Sequence, residues 1–183
     1  GEFGGQAIAE ALFGDYNPGG RLAVTFPKSV GQIPFAFPFK PGSDESSETS
    51  VYGALYPFAH GLSYTTFQYS DLAISPSKQG VQGNISISCT IKNIGQREGD
   101  EVVQLYLRDE VSSVTTYTQV LRGFERITLK PEASHTVHFE LTPQELGIWD
   151  KQMNFTVEPG MFKVMIGSSS KDIRLKGEFE IAQ

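Results

Sequence analysis

Apolar and polar residues alternate one for one through most of the C-terminal half of this chain. Ile85, Ile87, Cys89 and Ile91 are separated by Ser86, Ser88 and Thr90. The same period of two returns at Val103, Leu105 and Leu107, at Val137, Phe139 and Leu141, and at Phe155 and Val157. It continues through Phe162, Val164 and Ile166, and through Ile173 and Leu175. Successive side chains of a strand point to opposite faces, so each run predicts a strand with one buried face. The turn-forming stretches NIGQREGD, LKPEAS, VEPGM and GSSSKD separate the runs. Roughly seven or eight such strands predict a mainly β fold, an antiparallel two-sheet sandwich of the immunoglobulin-like kind. TPQELGIWD interrupts them with a short helical turn, capped by Thr142 with Glu145 three residues on.

The first 27 residues follow another rhythm. GQAIAEALFG sets Ile8 and Leu12 four apart among alanines, which predicts a short helix stopped at Gly14. YNPGG is turn chemistry: Pro18 presets φ, and Gly19 and Gly20 supply conformations closed to other residues. RLAVTF then predicts a strand that Pro27 ends. A helix feeding a strand is one unit of an α/β domain, whose sheet needs parallel neighbours. Residues 1–27 are therefore expected to be the remnant of such a domain, its terminal helix and strand.

Regular periodicity vanishes over residues 28–70. IPFAFPFKPG holds three prolines and three phenylalanines, and five tyrosine or phenylalanine rings follow between Tyr56 and Tyr69. Exposing such rings forfeits about 1.5–3 kcal/mol each, so this connector is expected to lie pressed against protein along most of its length. SDESSETS within it reads as a solvated acidic loop.

Composition narrows the function. The chain has 183 residues, 39% hydrophobic and 20% charged, enough for one sizeable core and an appendage. Fifteen basic against 21 acidic residues leave a net charge of −6, and no basic stripe offers itself to nucleic acid. The apolar runs are too short to span a bilayer, and the start shows no signal pattern. A single cysteine, Cys89, excludes an internal disulfide and predicts a buried, inert thiol.

Candidate chemistry is sparse. His135 and His138 are three apart on one strand, so they cannot share a metal, and both are expected at solvent. His60, in PFAHGLS, is expected to make a structural hydrogen bond to backbone. Asp44, Glu45 and Glu48 sit in the polar loop, and the neighbours Asp109 and Glu110 diverge; both groups read as solvated charge rather than an acid/base pair. GSSS reads as an ordinary hairpin turn, and no serine or cysteine has a base in a recognisable setting. No catalytic, cofactor-binding or metal-ligating residue is assigned. NIS at Asn84 and NFT at Asn154 match the glycosylation pattern but fall inside strand-like runs, which favours chance.

AIAEALFGDYNPGGRLAVTFPKSVGQIP, LYPFAHGLSYTTFQY, IKNIGQREGDEVVQLYLRDEVSSV, LRGFERITLKPEAS and VEPGMFKVMIGSSSKDIRLKGEFEI stand in that order. Together they resemble the C-terminal third of a family 3 glycoside hydrolase, of the β-glucosidase or β-xylosidase type that carries a fibronectin type III-like domain. The resemblance implies the end of an α/β domain at 1–27, a connector at 28–70 and a fibronectin type III-like sandwich at 71–183. It implies a retaining, exo-acting enzyme that removes terminal β-D-glycosyl residues from oligosaccharides, periplasmic or extracellular, and without a cofactor. The family's nucleophilic aspartate belongs to a barrel domain and its acid/base glutamate to an earlier part of the α/β domain. Such chemistry needs its carboxyl groups about 5–5.5 Å apart, and no catalytic role transfers to a residue here.

The implied partners are the barrel and α/β domains of the same enzyme, with oligosaccharide bound through the parent. Phe35, Phe37, Phe39, Tyr56, Phe58 and Tyr64 would anchor the connector, and Glu110–Thr118 reads as an interstrand loop or as one approaching the active-site mouth. The family usually has glycine at Ala59, so φ there is negative or modest strain is tolerated. A rival reading is a non-catalytic carbohydrate-binding or adhesion module, which needs a row of exposed aromatics; Trp149 sits beside a turn and most other rings alternate inward. A purely structural domain fits the same features. The apolar faces of residues 1–27, if nothing else covers them, predict a homodimer or swapped contact.

Overall fold

The computed structural model describes residues 1–43 and 52–183; Asp44, Glu45 and Glu48 lie outside them. Helix α1 (Gly4–Phe13) ends where Gly14 turns left-handed at φ 83°, as the sequence predicts. After the connector come β1 (Phe67–Ser75), β2 (Lys78–Gly80), β3 (Ile85–Asn93), β4 (Gly99–Asp109), β5 (Val120–Leu129) and β6 (Ser134–Leu141). The turn α2 (Pro143–Leu146) and the short strands β7 (Ile148–Trp149) and β8 (Phe155–Thr156) lead into β9 (Gly160–Gly167) and β10 (Ile173–Ala182). The α2 turn starts with the expected capping box: the Thr142 amide donates to Glu145 Oε2 at 2.8 Å and the Gln144 amide to Thr142 Oγ1 at 3.3 Å.

Two sheets carry the sandwich, one ordered β1-β3-β6 and the other β2-β10-β9-β4-β5. All long pairings are antiparallel, with Cys89 opposite Val137 and Leu105 opposite Ile166; only β2 runs parallel, along the end of β10. The alternating residues meet in one core. Ile85, Ile87, Cys89 and Ile91 from the first sheet face Val103, Leu105, Val164 and Ile166 from the second, all fully buried. Phe162 and Phe179 stack at its centre, 5.4 Å apart and nearly parallel. Burial pushes the Cys89 thiol up to about 11.

Several local expectations are corrected. Arg21–Phe26 forms no strand. It runs antiparallel to the returning connector with a single bridge, Phe26 to Tyr56, and hydrogen bonds at its two ends only: Leu22 N to His60 O, Ala59 N to Leu22 O, Phe26 N to Tyr56 O and Leu55 N to Phe26 O. Gly19 and Gly20 do not take a left-handed φ. Gly19 is needed for close approach instead, since a Cβ there would lie 2.5 Å from Asp100 Cβ. Ala59 has φ 64°, so this chain accepts the strain that a glycine would avoid. Phe155, read as a core position, lies in a two-residue strand and is 47% exposed. Asn84 and Asn154 precede β3 and β8 rather than lying within strands, and both are exposed.

Candidate functional site

Strand β4 departs most from simple alternation. Val103, Leu105 and Leu107 face the core, yet Gln104 and Tyr106, on the opposite face, are also buried. A polar face becomes dry only if something covers it, and here the cover is the connector. Phe37 meets the Tyr106 ring edge-on at 5.8 Å and stacks on Phe58 at 4.6 Å, with Phe39 packed against Phe37 at 6.2 Å and Phe35 against Phe39 at 5.0 Å. The Thr118 amide donates to Phe39 O at 2.8 Å, and the Ser170 amide to Phe58 O at 3.1 Å. Gln104 uses both ends of its amide: Oε1 accepts the Tyr106 hydroxyl and Nε2 donates to Ser168 O at 2.7 Å. Gln119 Nε2 donates to Ser170 O at 2.6 Å. The GSSS turn is thus no ordinary solvent hairpin; Ser169 and Ser170 are 4% exposed beneath the connector.

A second contact joins residues 14–22 to the start of β4. Asn17 Oδ1 accepts from Ser63 Oγ and the Tyr64 amide, and its Nδ2 donates to Glu98 O at 3.0 Å. Arg21 Nη2 reaches Glu101 Oε1 at 2.5 Å, with the two side chains only 9% and 5% exposed. Burial raises the Glu101 carboxyl above its ordinary range, and the Arg21 charge only partly opposes this. Arg97 donates to Gly14 O at 2.8 Å and stands over the Tyr64 ring, whose hydroxyl donates to Ala11 O. Fully buried Asn93 completes the joint: Nδ2 donates to Leu129 O and Arg97 O, while Oδ1 accepts from Thr65 Oγ1 and the Gly95 amide. Asp100 is held below the usual carboxylate range by Thr128 first and Arg126 second.

The residues singled out from sequence are scattered. His135 and His138 both lie exposed on β6, His135 within 3.6 Å of Glu125. His60 stacks its ring on Tyr56, 5.1 Å apart, and its backbone rather than its ring holds Leu22. Glu110 pairs with Arg108 and Lys163. Asp109 is half-buried rather than solvated, and burial raises its carboxyl. Of the six aromatic anchors, Phe35, Phe37, Phe39 and Phe58 are half-buried, whereas Tyr56 and Tyr64 remain 44% and 49% exposed. Among the described residues, no group of three or more His, Cys, Asp or Glu is arranged to hold a metal, and no helix is long and apolar enough to cross a membrane.

Pattern reading missed Arg21, Glu101, Asn93, Gln104 and Tyr106. A signal existed for two of them. Glu101 shares the parity of Val103 and Leu105, and Asn93 that of Ile91 and Cys89, so each is a polar residue in phase with core positions.

Comparison with known proteins identifies two segments of the chain. Residues 1–64 match the glycosyl hydrolase family 3 C-terminal domain, and residues 101–170 the fibronectin type III-like domain. A periplasmic beta-glucosidase of Salmonella typhimurium is 43% identical over 97% of this chain and 25% of that protein. A beta-xylosidase of Formosa agariphila is also 43% identical, over 94% of this chain and 24% of its own length. A solved β-glucosidase from Erythrobacter marinus superposes with a TM-score of 0.90 at 38% identity, across 98% of this chain and 24% of that one. The chain thus spans about a quarter of the length of the relatives it matches. Two matched segments in this order, and relatives that match nearly the whole chain, make it the C-terminal portion of a glycoside hydrolase of family 3, with a fibronectin type III-like domain.

Proposed function

We propose that this chain is the scaffolding segment of a retaining exo-β-glycosidase that removes terminal β-D-glycosyl residues from oligosaccharides. The segment itself supplies no catalytic carboxylate; the reacting pair belongs to the barrel and α/β domains of the same enzyme. The observation that carries this reading is the connector laid across the outer face of β4, buried on Gln104 and Tyr106. Together with the Arg21–Glu101 pair, it ties residues 1–64 rigidly to the sandwich. A segment built this way sets the position of whatever residues 1–27 belong to. The apolar row Phe3, Ile8, Leu12 and Phe13, 62–85% exposed on and beside α1, is assigned to contact with the rest of that enzyme. The name of the Salmonella relative supports a periplasmic or extracellular setting.

The test is hydrolysis of 4-nitrophenyl β-D-glucopyranoside and the matching xyloside. The parent enzyme is expected to cleave at least one, this chain neither. Phe58→Ala in the parent should lower its melting temperature and inactivate it sooner on heating, because the stacked Phe37 loses its partner. Hydrolysis by this chain alone would overturn the scaffolding assignment.

A further inference from the structure

The loop after β4, the start of β5, α2 and β7 enclose a cleft of about 270 Å³ that includes Asp109, Tyr117, Arg122, Glu145 and Trp149 in its lining. Trp149 also lines a more open depression of about 800 Å³, together with Gln82, Gln144 and Phe155, among others. Trp149 is the chain's one tryptophan. It is 60% exposed, with Tyr117 at 42% and Phe155 at 47%. Three large rings left in water around these two openings forfeit burial that the sandwich could have used.

The indole is held in place. Trp149 pairs with Phe155 across β7 and β8, their rings meeting edge-on at 5.5 Å. Phe155 in turn fills the space beside Gly147, where a Cβ would come within 2.4 Å of its ring. Polar groups of both kinds surround the platform. Asp109 Oδ1 accepts the Val111 amide at 3.2 Å, and Glu145 is held by the Thr142 amide. Among the described residues the Arg122 guanidinium, a fork of five donors, makes no hydrogen bond or close ion pair, although the Glu145 charge acts on it.

This combination selects a ligand class. An anion would suit Arg122 but not the carboxylates of Asp109 and Glu145 that line the same cleft. A purely apolar ligand would leave the Arg122 donors without a partner. A neutral sugar ring presents an apolar C–H face to an indole, and hydroxyls that both donate to carboxylates and accept from a guanidinium. We propose that the Trp149 cleft holds a neutral pyranose unit of an oligosaccharide, the chain of sugars continuing over the indole toward Phe155. No bond is made or broken here; the cleft retains saccharide.

Because Trp149 is unique, its emission reports this cleft alone. The full chain is titrated with cellotetraose, with xylotetraose and with the acidic disaccharide digalacturonate. A saturable emission change is expected with a neutral tetrasaccharide, at least about tenfold weaker in Tyr117→Ala and Arg122→Gln. Far-UV circular dichroism of both variants should match the parent chain, and Trp149→Phe followed by calorimetric titration should show the same loss. Drift without saturation for both neutral sugars would overturn the proposal. So would saturation by digalacturonate alone, or undiminished binding in both correctly folded variants. The readout is binding without turnover, so its failure leaves the hydrolytic reading standing.

Discussion

At the scale of single residues, the Arg21–Glu101 pair is where one side-chain change matters most. Removing one partner of a buried pair strands the other charge without water, which costs about 3–5 kcal/mol. Arg21→Ala is therefore expected to lower the melting temperature far more than loss of the exposed Lys78–Glu180 bridge, with thermal denaturation as the measurement. The pair also sets a pH signature. Burial raises the folded Glu101 value above the ordinary 4.5, so its contribution is fully present below that value and is lost as pH rises through the folded one. Asp100, Glu145 and Asp172 have lowered values, so theirs is present above the ordinary carboxylate range and is lost as pH falls. Urea midpoints followed from about pH 3 to pH 7 should fall at the acid end in wild type and in Glu101→Gln alike. The decline on the rising limb should be smaller in the variant, where only Asp109, also raised by burial, still contributes to it.

At the scale of elements, β4 is the organising strand because it is buried on both faces. Its inner face was legible from Val103, Leu105 and Leu107, whose period of two is a local property. Its outer face was not, since Gln104 and Tyr106 become dry only when a segment more than forty residues earlier lies across them. The Gly19–Gly20 turn teaches the same lesson. Both glycines read alike in sequence, yet a Cβ at Gly19 meets Asp100 while one at Gly20 meets nothing within 4 Å. Gly19→Ala is expected to destabilise by about 1–3 kcal/mol as the turn is pushed off β4. Gly20→Ala should stay close to wild type in the same chemical denaturation experiment. Equal effects at the two positions would contradict the packing account.

At the scale of the whole molecule, the sandwich buries its own core and α1 buries nothing. Leu12 and Phe13 stand 72% and 85% exposed, an apolar surface that water disfavours. We assign this surface to the rest of the enzyme, and to a second copy of the chain when nothing else is offered. Sedimentation velocity on this chain at rising concentration should therefore show self-association, and Leu12→Asp should abolish it without altering the sandwich's melting. A concentration-independent monomer would overturn the self-association and leave α1 only the contact with the rest of the enzyme.

By itself the sequence determined the sandwich, the helix that stops at Gly14, the capped turn at Thr142 and the buried thiol of Cys89. Each follows from short-range periodicity or from a cap a few residues away. The resemblance of its ordered motifs also pointed to the family. Only tertiary structure decided that Arg21–Phe26 lies along the connector instead of forming a strand, that Ser169 and Ser170 are covered, and that Glu101 has a cation beside it. Tertiary structure likewise left Trp149 exposed in the lining of two clefts. Partners forty to eighty positions apart leave no trace in local pattern, because burial of a polar group is set by what folds over it.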